Sequence, residues 1–158
     1  MVWEPACGDG AISKILKDNV GWVVSTDLYD WGYGKSGIDF LTCDFPEFVG
    51  HIVTNPPFKL STEFAYRGVE LIRKTGGKLC LLNRLQWLEG QKRGSTLFKD
   101  IPPSRIWVFS KRIPRMHNPT FDGKKTTSMM AFAWFVWDGE YLGEYPQLGW
   151  ISPEEMKK

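Results

Sequence analysis

The chain has 158 residues, 42% hydrophobic and 24% charged, which suits one compact domain over residues 1–158 with a core of its own and no separate target-recognition domain. Its formal net charge of +2 decides nothing about a nucleic-acid partner, so local charge placement has to. Cys7, Cys43 and Cys80 form no CxxC pair, His51 and His117 lack a second ligand at metal spacing, and neither an export signal nor an apolar run of about 18 residues is present. A disulfide framework, a metal site and a membrane partner are therefore not expected, and the expected location is cytoplasmic.

In chain order, Val2 to Ala6 reads as a short buried strand running into Cys-Gly-Asp-Gly, after which Ala11, Ile12, Ile15 and Leu16 recur at helical spacing. Trp22 to Leu28 is a second strand, followed by a glycine-rich loop from Trp31 to Gly37 and a third strand over Ile38 to Leu41. His51 to Thr54 is a strand that stops at Asn-Pro-Pro, because two prolines deny the sheet their donors. Ser61 or Thr62 can cap the next helix, whose Phe64, Ala65, Val69, Leu71 and Ile72 form an inner stripe closed by Gly76-Gly77. Lys78 to Asn83 is a core strand, Glu89 to Lys99 a polar helical stretch, and Arg105 to Ser110 and Ser128 to Trp137 are strands separated by a long basic loop.

Strands alternating with helices imply an α/β fold: a Rossmann-like, mainly parallel twisted sheet with helices on both faces and right-handed crossovers. The last two strands have no helix between them and should form a C-terminal antiparallel hairpin.

Four clusters on this frame carry chemistry. The first is Glu4-Pro5-Ala6-Cys7-Gly8-Asp9-Gly10, a strand end and glycine turn where a ligand can approach the backbone closely. Asp27-Leu28 closes the second strand 17 residues beyond Gly10, where a carboxylate can accept ribose hydroxyls or simply cap a solvated strand end. Asp44-Phe45 can receive an adenine amine and pack on a purine, although Asp44 can equally be a turn residue before Pro46. Asn55-Pro56-Pro57-Phe58 is the most specific signal.

With the glycine turn and the Asn-Pro-Pro-Phe loop about 45 residues apart in this order, the whole chain resembles the class I S-adenosylmethionine-dependent methyltransferases of the amino-methylating group. It looks most like small bacterial and phage DNA N6-adenine enzymes. The resemblance implies that Gly8 and Gly10 admit the methionine part of S-adenosylmethionine and that Asn55 adjoins the cofactor. It also implies that the Asn55 side-chain oxygen and the Pro56 carbonyl accept the two amine hydrogens while Phe58 stacks on the base. An exocyclic amine is a poor nucleophile because its lone pair is delocalised, so orienting that lone pair is the main task of such a loop.

A base in a nucleic acid must be flipped out or already unpaired to reach such a pocket. Lys111, Arg112, Arg115, Lys124 and Lys125, interleaved with Phe121, can contact phosphates and stack on a strand, or form a solvated loop. The expected partner is nucleic acid, DNA before RNA. Members of the family usually carry a segment before the first strand that closes over the cofactor, whereas this sequence starts three residues before Glu4; the expectation is a wall supplied by another subunit, as in a homodimer, a truncated product, or an open pocket that binds the cofactor weakly. The alternatives are an amine of an RNA base, a protein glutamine, or a non-catalytic cofactor-binding or partner-binding subunit.

Overall fold

A computed structural model describes residues 1–44, 49–113 and 129–152. The chain opens with strand β1 (Val2–Glu4), helix α1 (Ala11–Val20) and β2 (Val23–Ser25), then β3 (His51–Thr54), α2 (Ser61–Thr75) and β4 (Lys78–Arg84). Two short helices, α3 (Gln91–Ser95) and α4 (Leu97–Asp100), precede β5 (Arg105–Phe109), β6 (Phe132–Asp138) and β7 (Gln147–Ile151). All seven strands form one sheet in the order β2-β1-β3-β4-β6-β5-β7. β1 pairs in parallel with both β2 and β3, and β3 with β4. β6 runs against both β4 and β5, so the expected antiparallel hairpin is present.

From β1 the chain crosses to β2 on one side, and from β3 it crosses to β4 on the other. Right-handed crossovers in opposite directions place α1 and α2 on opposite faces of the sheet. The reversal makes the carboxyl ends of β1 and β3 the switch point, where ligands bind in open α/β sheets.

The core follows the apolar pattern. Phe64, Ala65, Val69, Leu71 and Ile72 of α2 are all buried, together with Trp3, Ile52, Leu79, Leu81 and Phe135 from the strands beneath. Burying side chains of this size contributes roughly 1.5–3 kcal/mol each. Helix α2 stops at Gly76 in the left-handed region, and the Gly76 N–H donates to the Ile72 carbonyl.

Several sequence expectations need correction. Ile38 to Leu41 is not a strand: the Asp39 carboxylate accepts the Leu41 N–H at 2.9 Å and its carbonyl accepts those of Thr42 and Cys43. These local bonds replace a ladder and leave Phe40 free to pack on Trp3 and Phe64. Neither Ser61 nor Thr62 caps α2; Leu60 precedes the helix, and a short 3-10 turn over Phe58–Leu60 leads into it. The stretch from 89 to 99 is broken at Thr96, whose φ of −125° and ψ of −88° are not helical. Helix α1 stands where the spacing puts it, with Ile12 and Leu16 half-buried, Ile15 62% exposed and Ser13 buried. Strand β7 was not foreseen; it pairs in parallel with β5.

Candidate active site

The glycine turn leaves β1 with Gly8 at φ 52° and Gly10 at φ 82°, conformations that a residue bearing a Cβ rarely adopts. The turn is tied to β2 from both sides. The Cys7 N–H donates to the Thr26 carbonyl at 3.0 Å, and the Gly8 N–H donates to Asp27 Oδ2 at 2.9 Å. Asp27 Oδ1 accepts the Tyr29 N–H at 2.9 Å and the Trp31 indole N–H at 3.2 Å. The carboxylate at the end of β2 thus lies buried, 8% exposed, and joins three segments. A carboxylate has about four acceptor positions, so one is left for a ligand hydroxyl.

Beneath the turn lies an acid whose role the sequence reading missed. Glu4 is 1% exposed and accepts a hydrogen bond from the Ser13 hydroxyl, which also meets the Ser25 hydroxyl at 2.6 Å. Burial raises the Glu4 pKa to about 7, the Ser13 hydrogen bonds oppose the rise, and the negative Asp27 and Asp9 reinforce it. The available signal was an acid ending an apolar strand, with a serine one turn into the following helix. Burial and the nearby Glu4 and Asp27 charges raise the Cys7 thiol to about 11, so Cys7 is packing rather than a nucleophile.

The glycine-rich loop folds back over the turn through the Thr26–Lys35 bridge. A Cβ on Gly10 would lie 2.5 Å from the Tyr33 ring. The ammonium groups of Lys14 and Lys17 each lie 5.2 Å from the same ring centroid. The Tyr33 hydroxyl is buried with no hydrogen-bond partner among the described residues.

Asn55, Pro56, Pro57 and Phe58 follow β3 directly. Since Trp3 is opposite Ile52 in the β1–β3 ladder, the glycine turn and the Asn-Pro-Pro-Phe bend emerge side by side from one sheet edge, on strands roughly 4.8 Å apart. Asn55 and Phe58 are half-buried, Pro56 is buried and Pro57 is exposed. Phe58 packs against Phe132 at 6.1 Å between centroids, and the Arg84 guanidinium lies 4.2 Å from the Phe58 centroid. Neither Arg84 nor its neighbour Asn83 was singled out from the sequence.

Pro5 is buried, Ala6 half-buried, and Asp9 and Leu28 are exposed at the mouth of the turn. Asp44 is exposed, while Phe45 lies outside the described residues. Lys111 and Arg112 are exposed just past the carboxyl end of β5. β5 runs in the direction of β4, so this is the sheet edge that carries Asn55. Arg115, Phe121, Lys124 and Lys125 lie outside the described residues. Among the described residues there is no group of three metal-ligating side chains and no helix long and apolar enough to cross a membrane.

No protein-family model matches the chain, and no curated protein does. Solved structures do. A protein described as a class I S-adenosylmethionine-dependent methyltransferase from Listeria monocytogenes aligns over 96% of this chain and 57% of its own, at 11% identity and a TM-score of 0.56. TehB from Haemophilus influenzae aligns over 87% of this chain and 56% of its own, at 13% identity and a TM-score of 0.52. TrmN from Thermus thermophilus aligns over 87% of this chain and 43% of its own, at 19% identity and a TM-score of 0.51. The chain therefore spans about half the length of the structures it matches, and it shares with them the fold described by the first as class I methyltransferase.

Proposed function

We propose that this chain transfers a methyl group from S-adenosylmethionine to an exocyclic amine of a nucleobase, with N6 of adenine in DNA as the first target. The observation that carries this reading is the pairing of β1 with β3, which sets the glycine turn and the Asn55 loop next to each other at the switch point. The residues fit the cofactor on two further counts. Asp27 keeps one acceptor position at the end of β2, and the buried Tyr33 hydroxyl beside Gly10 has no partner among the described residues. The turn from Glu4 to Gly10 would hold the methionine end, Asp27 the ribose and Asp44 the adenine amine.

When bound, S-adenosylmethionine supplies an electrophilic methyl group on a sulfonium. The protein's share is orientation. The Asn55 side-chain oxygen and the Pro56 carbonyl accept the two amine hydrogens, which turns the nitrogen lone pair out of conjugation and toward the glycine turn. Phe58 offers a ring face against which the base can lie. Asn55 has no charge with which to remove a proton beforehand, which suits an attack in which the amine loses its proton, to solvent, only after the new bond forms.

The nucleobase is favoured over a protein glutamine by the cations at the same sheet edge, Arg84, Lys111 and Arg112. The test is incubation with labelled cofactor and separate pools of single-stranded DNA, RNA and protein, followed by mass spectrometry of the released nucleosides. N6-methyladenine from the DNA pool is the expected product. Label incorporated only into protein, or cofactor uptake without transfer to any pool, would overturn the reading.

A further inference from the structure

Beyond Phe58 the sheet edge opens into a cleft of about 440 Å³ lined in part by Phe58, Asn83, Arg84, Trp87, Glu89 and Arg93. Its two arginines differ. Arg93 is committed to the backbone, its Nε donating to the Trp87 carbonyl at 2.8 Å and its terminal nitrogen to the Glu89 carbonyl. It fixes the turn that forms one wall.

Arg84 makes no such bonds. Its guanidinium lies on the Phe58 ring, and its Nε is buried without a hydrogen-bond partner among the described residues. Among the described residues Arg84 takes part in none of the ion pairs Arg67–Glu70, Lys74–Glu70 and Lys78–Asp138, and Glu89 on the cleft wall does not neutralise it. Asn83 precedes it, 2% exposed, with Oδ1 taken by the Arg84 N–H at 2.8 Å and Nδ2 left without a partner.

Both orphan groups are donors. A ligand that satisfied them would bring acceptors, one of them anionic, and would leave the aromatic face of Phe58 in contact with a planar group. A nucleotide has that composition: phosphate oxygens for the guanidinium, ring acceptors for the amide and a base for the ring. A glutamine side chain brings one acceptor and two donors, and no charge.

We propose that Arg84 and Asn83 form a nucleotide-recognition site, in which Arg84 takes a phosphate of a single-stranded nucleic acid and Asn83 donates to a base, selecting nucleic acid as the substrate of the Asn55 loop. The assignment rests on the nucleobase-methylation reading and names the residues that give it its polymer preference. Its contact with Phe58 holds the planar guanidinium in place, at the cost of covering part of the ring until a strand arrives.

The test measures binding by fluorescence anisotropy with short labelled single-stranded DNA, and RNA of the same sequence, over a salt series with S-adenosylhomocysteine present. Arg84→Met should weaken binding about tenfold and lower the slope of log Kd against log salt by about 0.7, the value for one lost phosphate contact on a single strand. Asn83→Leu should weaken binding by about threefold and leave the slope alone, because it removes a neutral donor. Should the methionine variant lose the wild-type thermal midpoint, Arg84→Lys takes its place. It should keep the slope and lose about threefold in affinity, since an ammonium neither stacks nor forks.

A wild-type chain that methylates either polymer while the Arg84 variant keeps wild-type affinity and slope overturns the assignment alone. A wild-type chain that binds neither strand overturns both the assignment and the reading beneath it. Binding of either strand with the expected loss supports the site, and the tighter strand identifies the polymer.

Discussion

The two ends of the sheet edge are finished differently. At the glycine turn, Ser13 ties Glu4 to Ser25, and separately Asp27 accepts from Gly8, Tyr29 and Trp31, so that of the buried groups there the Tyr33 hydroxyl is the one without a partner among the described residues. At the other end, the Thr54 hydroxyl, Asn83 Nδ2 and Arg84 Nε are buried without partners among the described residues. Each unsatisfied group costs about 1–3 kcal/mol. The first end is a socket built in advance, able to receive a cofactor with little rearrangement. The second carries a strain that an acceptor-rich ligand would relieve, as expected where specificity for a polymer resides.

The largest expected effect tests whether the ends do different work. Asn55→Ala should reduce methyl transfer at least about 100-fold while cofactor affinity stays within a few-fold, measured by single-turnover transfer and calorimetric titration. Equal loss of both properties would merge the two ends into one.

The buried acid gives the next effect. Glu4 titrates near 7 when folded, above its ordinary value of 4.5, so the folded state holds more protons between those pH values and stability falls as pH rises through that window. Glu4→Gln, which still offers Ser13 an acceptor, should abolish that decline and leave the variant more stable by up to about 3 kcal/mol at pH 8. Urea denaturation across the window reads it; an unchanged pH profile would show that Glu4 is charged and comfortable.

Asp27→Ala should weaken cofactor binding by about 1–3 kcal/mol, because the Gly8 N–H loses its acceptor along with any ribose hydroxyl. Transfer at saturating cofactor should fall far less than for Asn55→Ala. The smallest change sharpens what Gly10 is for. Gly10→Ala should cost about 1–2 kcal/mol for its left-handed backbone, plus the clash with the Tyr33 ring. Tyr33→Ala in the same chain should remove the clash and leave the backbone cost, read as two denaturation midpoints. No relief in the double variant would mean that the ring moves aside freely.

Much of this was legible from residue order. Short-range signals did best: the glycine turn, the Pro-Pro stop after Thr54 and the α2 stripe ending at Gly76 each depend on neighbours a few positions away, and each stands where the sequence puts it. Ile38 to Leu41 failed because a β-branched and aromatic run looks like a strand while the Asp39 turn satisfies its backbone locally. The spacing of Ala11, Ile12, Ile15 and Leu16 places α1, but it gives no sign that Ser13, bonded to Glu4, is the residue this helix buries. Asn83 and Arg84 were invisible as a site, since their significance comes from Phe58, 26 residues before Arg84 and brought beside it only by the sheet.

The placement of β6 has a consequence for how the molecule is made. β6 sits between β4 and β5 and forms with β4 a ladder from Lys78–Asp138 to Arg84–Phe132, yet it leaves the ribosome long after its partner. Until then β4 presents a bare edge rich in Leu79, Leu81 and Leu82, open to any stray strand. Pairing of such wide sequence separation slows folding and lengthens the time during which that edge is exposed to aggregation.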